Sequence, residues 1–277
     1  MTIEEQQIEV DGLLTHYLTA GEGPPLLLLH ALGESALDWR WVLPDLARTH
    51  RVYAPDLPGF GDSAKPTADY SPVFFEGFVA TFLDALEVER AAVVGNSLGG
   101  LIALRLALSE PARTSALVLI DSAGLGREVS SALKSSTLPG YGEMLVTLSK
   151  TPLGATQRTW LRLPLLFARP ERVPPEWFEE QYRLAQLPGF SEAVVSALRA
   201  QVDPGGQREV LVDRLPSLEI PTLVVWGESD RIFPVSQARE AVASLQKGSL
   251  ELIPDCGHLP PVERPDRFVA ALKRFLG

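Results

Sequence analysis

The stretch Ala91-Ala92-Val93-Val94-Gly95-Asn96-Ser97-Leu98-Gly99-Gly100 decides how the chain is read. Its first four residues are a short apolar run, as in a buried strand. The run that follows, Leu101 to Leu108, is apolar almost throughout and built of good helix formers. A strand enters, a tight turn carries a serine, and a buried helix leaves. In that setting G-x-S-x-G presents a serine hydroxyl above a sheet edge as a nucleophile. Gly95 and Gly99 are needed because a Cβ at either would collide with the neighbouring turn. The helix N-terminus behind Ser97 favours negative charge beside it. A Gly-rich strand–helix connection in another α/β fold would share the pattern. The flanking elements, and the partner residues further along, separate the two.

The chain has 277 residues, 45% of them hydrophobic, enough for a large core in one domain or one domain with an insertion. A net charge of −10 argues against nucleic acid and anionic membranes as partners. The single cysteine, Cys256, excludes an internal disulfide. With an acidic, polar N-terminus that does not resemble a signal peptide, it leads us to expect a cytoplasmic protein. No apolar run approaches the length of a membrane span. Asn96 is the only asparagine, and five of the 25 basic residues are lysine. That composition fits a thermostable protein and fits biased nucleotide composition equally well.

Gln7 to Val10 and Leu13 to Thr19 read as strands flanking an Asp11-Gly12 hairpin turn. His16 lies within the second and is expected to pack or face solvent. Leu26-Leu27-Leu28-Leu29 reads as a central strand buried on both faces and runs into His30-Ala31-Leu32-Gly33. Asp38 to Ala47 is expected to be helical, with Trp39, Val42, Leu43 and Leu46 on one face, and His50 after it to be solvated. Val52 to Pro55 reads as a strand leading into Asp56-Leu57-Pro58-Gly59-Phe60-Gly61-Asp62-Ser63. There Asp56 and Asp62 are expected to hydrogen-bond loop backbone. Pro72 to Leu86 reads as a helix and Ala116 to Asp121 as a further buried strand. Pro221 to Trp226 and Leu250 to Ile253 read as the last strands, and an amphipathic Phe268 to Leu276 closes the chain.

With these motifs in place the chain resembles the α/β-hydrolase superfamily, over nearly its whole length and in the family's order. The resemblance implies an α/β fold: a mostly parallel eight-stranded sheet, helices on both faces, and an inserted helical cap. His30-Ala31-Leu32-Gly33 resembles the family's H-G-x-G, with Ala31 in place of the usual glycine. By that resemblance the N–H groups of Leu32 and Leu98 form the oxyanion hole, and His30 is structural. Gly227-Glu228-Ser229-Asp230-Arg231-Ile232-Phe233-Pro234 resembles G-x-x-D-x-x-x-P, which makes Asp230 the acid of a triad. Asp121 is a rival, since some members place the acid after that strand. Glu228 is expected to be solvated or bonded to its loop. His258, in Pro254-Asp255-Cys256-Gly257-His258-Leu259, follows a strand and is the general base. The chain order Ser97, Asp230, His258 is the family's. Cys256 is expected to be a buried structural thiol.

From Ser122 to about Leu215 the strand–helix alternation stops, and Tyr141, Trp160, Phe167, Trp177, Phe178, Tyr182 and Phe190 fall among prolines. This resembles the family's cap. It divides the chain into a core, 1–121 with 216–277, and a 122–215 cap after the sixth strand. Residues 123–215 carry 11 basic and 10 acidic residues, so the excess of acid lies in the core. A near-neutral, aromatic-rich cap suits an apolar substrate, and cap aromatics such as Trp160 are expected to set substrate choice.

The chemistry expected is a carboxylesterase-type serine hydrolase. His258 takes the Ser97 proton, Asp230 fixes the imidazole tautomer, and an acyl-enzyme forms and is hydrolysed. No metal and no organic cofactor is required, and no histidine pair or cysteine cluster reads as a metal site. The expected substrate is a small to medium apolar ester or lactone. The GNSLGG turn also resembles C–C bond hydrolases of ring-cleavage products, which commonly carry Trp where this chain has Leu259. A non-catalytic ligand receptor on the same fold is the alternative of another class.

Overall fold

The structure, a computed structural model, describes residues 2–277. Strands β1 (Glu4–Val10) and β2 (Leu13–Ala20) pair antiparallel through a hairpin at Asp11 and Gly12. Both turn residues have positive φ, 47° and 76°, as a two-residue hairpin with the right twist demands. β3 (Pro25–Leu29), α1 (Leu43–Leu46), β4 (Arg51–Pro55), α2 (Pro72–Ala85), β5 (Ala91–Asn96), α3 (Leu98–Ser109) and β6 (Thr114–Ile120) follow. After a long insertion come β9 (Thr222–Gly227), α9 (Ser236–Ser244), β10 (Gly248–Ile253), α10 (Pro260–Glu263) and α11 (Pro265–Leu276). The main sheet has eight strands in the order β1-β2-β4-β3-β5-β6-β9-β10, and every pairing beyond β2–β4 is parallel.

The continuous apolar runs are explained by burial on both faces. Along β3, Leu27 and Leu29 enter one core while Leu26 and Leu28 enter the other. Val93 of β5, Leu117 and Leu119 of β6, and Val224 and Trp226 of β9 join the first. Val94, Val118, Ile120 and Val225 join the second. α2, α3 and α9 cover the first face; α1 and α11 cover the second, where Trp39 meets Phe268 at 6.3 Å.

The single helix expected over 38–47 is two short pieces: a 3-10 turn, Ala36–Trp39, and the one-turn α1. Pro44 accounts for the break, because proline is accepted in a first turn but not within a helix. Trp39, Val42, Leu43 and Leu46 are nevertheless all buried. His50 is buried rather than solvated and bonds Thr49 Oγ1 through Nδ1 at 2.8 Å. The Gly21 and Gly23 backbone lies directly on the 47–50 segment and covers it. His16 packs inside, with Nδ1 2.8 Å from Asp56 Oδ2. Asp56 also accepts the N–H groups of Ala36 and Asp62, so it holds loop backbone as expected. Asp62 does not. Its carboxylate pairs with Arg183, at 2.7 and 3.0 Å.

Between β6 and β9 no residue joins the main sheet. The segment holds α4 (Ser131–Ser136), α5 (Tyr141–Ser149), α6 (Pro152–Leu166), α7 (Pro175–Gln186) and α8 (Phe190–Gln201). A two-residue ribbon, β7 (Val202–Asp203) with β8 (Gly206–Gln207), follows. Phe167, Trp177 and Phe190 are buried. Trp160 is 61% exposed and leans on Phe178.

The hydrogen bond to Asp56 raises the His16 pKa, against an opposing effect of burial. A histidine raised on folding adds stability below its unfolded pKa, about 6.5, and that increment is lost as pH rises through the folded value. The difference in denaturation midpoint between the wild type and His16→Gln should therefore shrink as pH rises above about 6.5. A difference independent of pH would contradict this pairing.

Candidate active site

β5 delivers Ser97 at φ 54°, ψ −112°, a region that a residue with a side chain enters only when the surroundings force it. The force is steric and close. A Cβ on Gly95 would fall on the carbonyl of Gly99, and one on Gly99 would fall on the carbonyl of Leu29. Ser97 N–H donates to Ile120 O at 2.9 Å, and Ser97 O accepts from Leu101 and Ala123 N–H, both at 3.1 Å. The turn is thus sewn to β6 and to its own helix.

Asn96 sits one residue before the serine and is buried. Its Nδ2 donates to Ile120 O at 3.0 Å and to His258 O at 3.1 Å. This side chain ties the serine turn to the histidine loop across the sheet. Sequence reading noted Asn96 only as the sole asparagine and missed this role.

Asp230 lies past β9 and His258 past β10. His258 Nδ1 is 2.9 Å from Asp230 Oδ2, and Asp230 Oδ1 accepts Ile232 N–H at 2.7 Å. A carboxylate only accepts, so Nδ1 carries the proton and Nε2 keeps its lone pair. Phe233 meets the His258 ring edge-on at 5.5 Å. Asp121, the rival acid, is fully buried beside Asp230 and accepts Gly227 N–H at 3.0 Å. Oxygens of Asp121 and Asp230 and a ring nitrogen of His258 lie within 4.8 Å of one another, as do such atoms of His16, Asp56 and Asp62. These two clusters have a spacing a metal ion would accept. Chain positions gave no hint of either.

His30 donates Nδ1–H to Ala31 O at 2.8 Å and accepts Leu57 N–H on Nε2 at 3.0 Å. Both ring nitrogens are occupied, and burial lowers its pKa, so it is a neutral structural group. Leu98 is the first residue of α3, where helix geometry leaves N–H groups without an intrahelical acceptor. Leu32 N–H donates to no backbone carbonyl among the described residues. Gly99 packs on the Leu29 and His30 carbonyls, which sets the 30–33 loop against the start of α3.

A buried polar network joins that loop to the 122–215 segment. Glu34 accepts Trp177 Nε1–H at 3.2 Å and Gln181 Nε2–H at 2.7 Å, and it pairs with Arg162. Arg158 lies over the Phe190 ring at 5.2 Å and against Gly33. Burial, with Arg162 beside it, pushes its pKa down to about 9. On the other side Glu263 accepts the N–H groups of Gly257 at 2.6 Å, Arg169 at 2.6 Å and Ala168 at 3.2 Å. His258 N–H donates to Leu166 O at 2.7 Å. Neither Glu34 nor Glu263 was singled out from sequence.

Cys256 is buried, and burial raises its thiol pKa, so it is unreactive at neutral pH. A cleft of about 610 Å³ adjoins the acid loop, between Arg127, Lys134, Arg231 and Phe233; Ser97 is not on its wall. No helix among the described residues is long and apolar enough to cross a membrane.

Glu263→Ala would leave the buried Gly257 N–H unpaired, worth about 1–3 kcal/mol, and free the part-buried donors of Ala168 and Arg169. The variant should lose about 1–3 kcal/mol of unfolding free energy in a urea titration. A loss below about 1 kcal/mol would show that Glu263 does not clamp the histidine loop.

Comparison with known proteins agrees with this fold. Residues 24–265 match the family model described as "alpha/beta hydrolase fold". The chain is 33% identical over 280 residues to the 2-hydroxymuconate semialdehyde hydrolase of Pseudomonas sp. (strain CF600), covering 98% of this chain and 93% of that one. A meta-cleavage product hydrolase from Pseudomonas fluorescens IP01 superposes with a TM-score of 0.82 at 28% identity, covering 98% and 97% of the two chains. A bacterial membrane phospholipase A superposes with a TM-score of 0.81 at 30% identity, covering 99% and 86%. The chain belongs to the alpha/beta hydrolase fold family.

Proposed function

We propose that this chain is a serine hydrolase in which Ser97 attacks the substrate carbonyl, His258 is the general base and Asp230 orients His258. The observation that carries the reading is the 2.9 Å contact between His258 Nδ1 and Asp230 Oδ2, in a loop that Asn96 ties to the serine turn. A serine hydroxyl is a weak nucleophile at neutral pH, so a base must take its proton as attack begins. His258 Nε2 holds the free lone pair for that transfer. Asp230 keeps Nδ1 protonated and stabilises the imidazolium that forms. Leu32 and Leu98 N–H receive the oxyanion, each contributing roughly 3 kcal/mol to the transition state. Collapse gives an acyl group on Ser97, which water activated by His258 removes. None of these steps calls on a metal or an organic cofactor.

The substrate reading is an ester or lactone with small to medium apolar parts. Serine, histidine and an oxyanion hole suffice for it, and the 122–215 segment, acting as a cap, would hold the apolar portion. Val194 of α8 lies beside Gly33, and in this reading it would meet the substrate. The second reading is hydrolysis of a C–C bond in a ring-cleavage product. It rests on likeness to relatives named for that reaction over 98% of the chain. Leu259, buried after the base, stands where such enzymes commonly carry tryptophan. We further propose that the protein acts in the cytoplasm.

A panel of p-nitrophenyl esters of graded length, lactones and ring-cleavage dienones separates the two substrate readings. Turnover of esters at least about tenfold above dienones in kcat/KM supports the first, and the reverse order overturns it. A fluorophosphonate should add one label that Ser97→Ala abolishes. Asp230→Asn should lower kcat by roughly 10⁴. Labelling that persists without Ser97, or a mild Asp230→Asn, would contradict the assignment.

A further inference from the structure

Asp121 is one of the buried acids that the reaction as derived does not use. Asp121 ends β6, has no exposed surface, and holds φ at 40°, in the left-handed region that residues with a Cβ avoid. Its Oδ1 is satisfied by Gly227 N–H. Its Oδ2 is buried and meets no hydrogen-bond donor among the described residues. An oxygen of its carboxyl lies within 4.8 Å of one of Asp230. Two ionised carboxylates cannot hydrogen-bond to each other, since both only accept. Adding a proton turns the same contact into a bond.

We propose that Asp121 is a positioning residue: a neutral acid whose Oδ2–H donates to the Asp230 carboxylate and keeps it aimed at His258 Nδ1. The proposal rests on the triad reading above. Asp230 then receives three hydrogen bonds, from Ile232 N–H, His258 Nδ1–H and Asp121 Oδ2–H. The three donors reach it from its own loop, from the loop after β10 and from the end of β6. Rotation of the Asp230 carboxylate would break at least one of them.

The surroundings favour the neutral form. The titratable groups that face Asp121 are Asp230, Glu263, Cys256 and His258. β5 contributes only the neutral Asn96 to the same corner. Burial acts first and the charge of Asp230 second, and both push the Asp121 pKa well above the ordinary carboxylate range. A charged Asp121 would be a second anion sharing a dry corner with one backbone donor. Like charges so placed do not both ionise, and one proton serves the pair.

The test uses the full chain and two variants. Asp121→Asn keeps size and supplies an N–H donor; Asp121→Ala supplies none. The readout is the rate of fluorophosphonate labelling of Ser97 against pH, whose acid limb reports loss of the neutral His258 base. The Asn variant should label within about threefold of wild type, with its acid-limb midpoint within about 0.3 of a pH unit. The Ala variant should label at least about tenfold more slowly. Its midpoint should rise, because an Asp230 freed of one donor holds the imidazolium more tightly. Were Asp121 ionised, both substitutions would remove a negative charge near His258, and both midpoints would fall by about one unit. That fall would overturn the proposal, as would an Ala variant that matches wild type throughout. Infrared difference spectra at neutral pH give an answer independent of the reaction. Wild type labelled with ¹³C-aspartate should show a protonated-carboxyl C=O band that the Asn variant lacks, and absence of that band from wild type would refute the proposal. Failure of Ser97 to label at all contradicts the hydrolase reading instead, and the infrared result then decides Asp121 alone.

Discussion

Everything at the candidate site depends on backbone closeness at Gly95 and Gly99. With no side chain at either position, α3 starts directly against the end of β5 and beside the Leu29 carbonyl of β3. That approach goes with the Ser97 backbone at φ 54°. It also sets the orphan N–H groups at the start of α3 next to the 30–33 loop. A single Cβ would force β5, α3 and β3 apart together, and Ser97 and the 30–33 loop would lose their register.

Around this turn the protein buries an unusual number of carboxyl groups, and each is handled differently. Asp56 is held below the ordinary carboxylate range: burial alone would raise it, but His16 and two backbone N–H groups outweigh that effect. Glu34 spends its acceptors on Trp177, Gln181 and Arg162, and Glu263 on three backbone donors. Asp38 and Asp121 each face another acid, and burial followed by the neighbouring charge pushes both well above the ordinary range. Glu34 and Glu263 do a second job. They anchor the 122–215 segment to the 30–34 loop on one side and to the loop that carries His258 on the other. Loss of either carboxylate would loosen the anchorage it supplies.

Much of the fold was legible in local pattern. Continuous runs such as Leu26–Leu29 and Ala116–Ile120 mark strands covered on both faces, and those strands are where they were expected. That Asp230 and His258 each follow a strand was legible from short motifs, and the structure brings the two side chains into contact. Long-range partners were not. Nothing in the neighbourhood of Glu263 says that residues 168 and 169 will supply its donors, nor does Glu34 announce a tryptophan 143 positions away. His50 was misread because a polar stretch says nothing about which backbone lies over it. Asp62 was misread because a turn aspartate near a surface can pair across to another element, here Arg183, as readily as with its own loop.

The central claim is that Ser97 carries the acyl group between two chemical steps, and trapping that species tests it most directly. The protein would be mixed with a p-nitrophenyl ester, quenched in acid during the first turnover, and its peptides weighed. The account predicts one acyl group, on the peptide that contains Ser97, formed together with a burst of nitrophenol of about one equivalent per chain. Steady turnover with an unmodified Ser97, or with the acyl group on another residue, would contradict it.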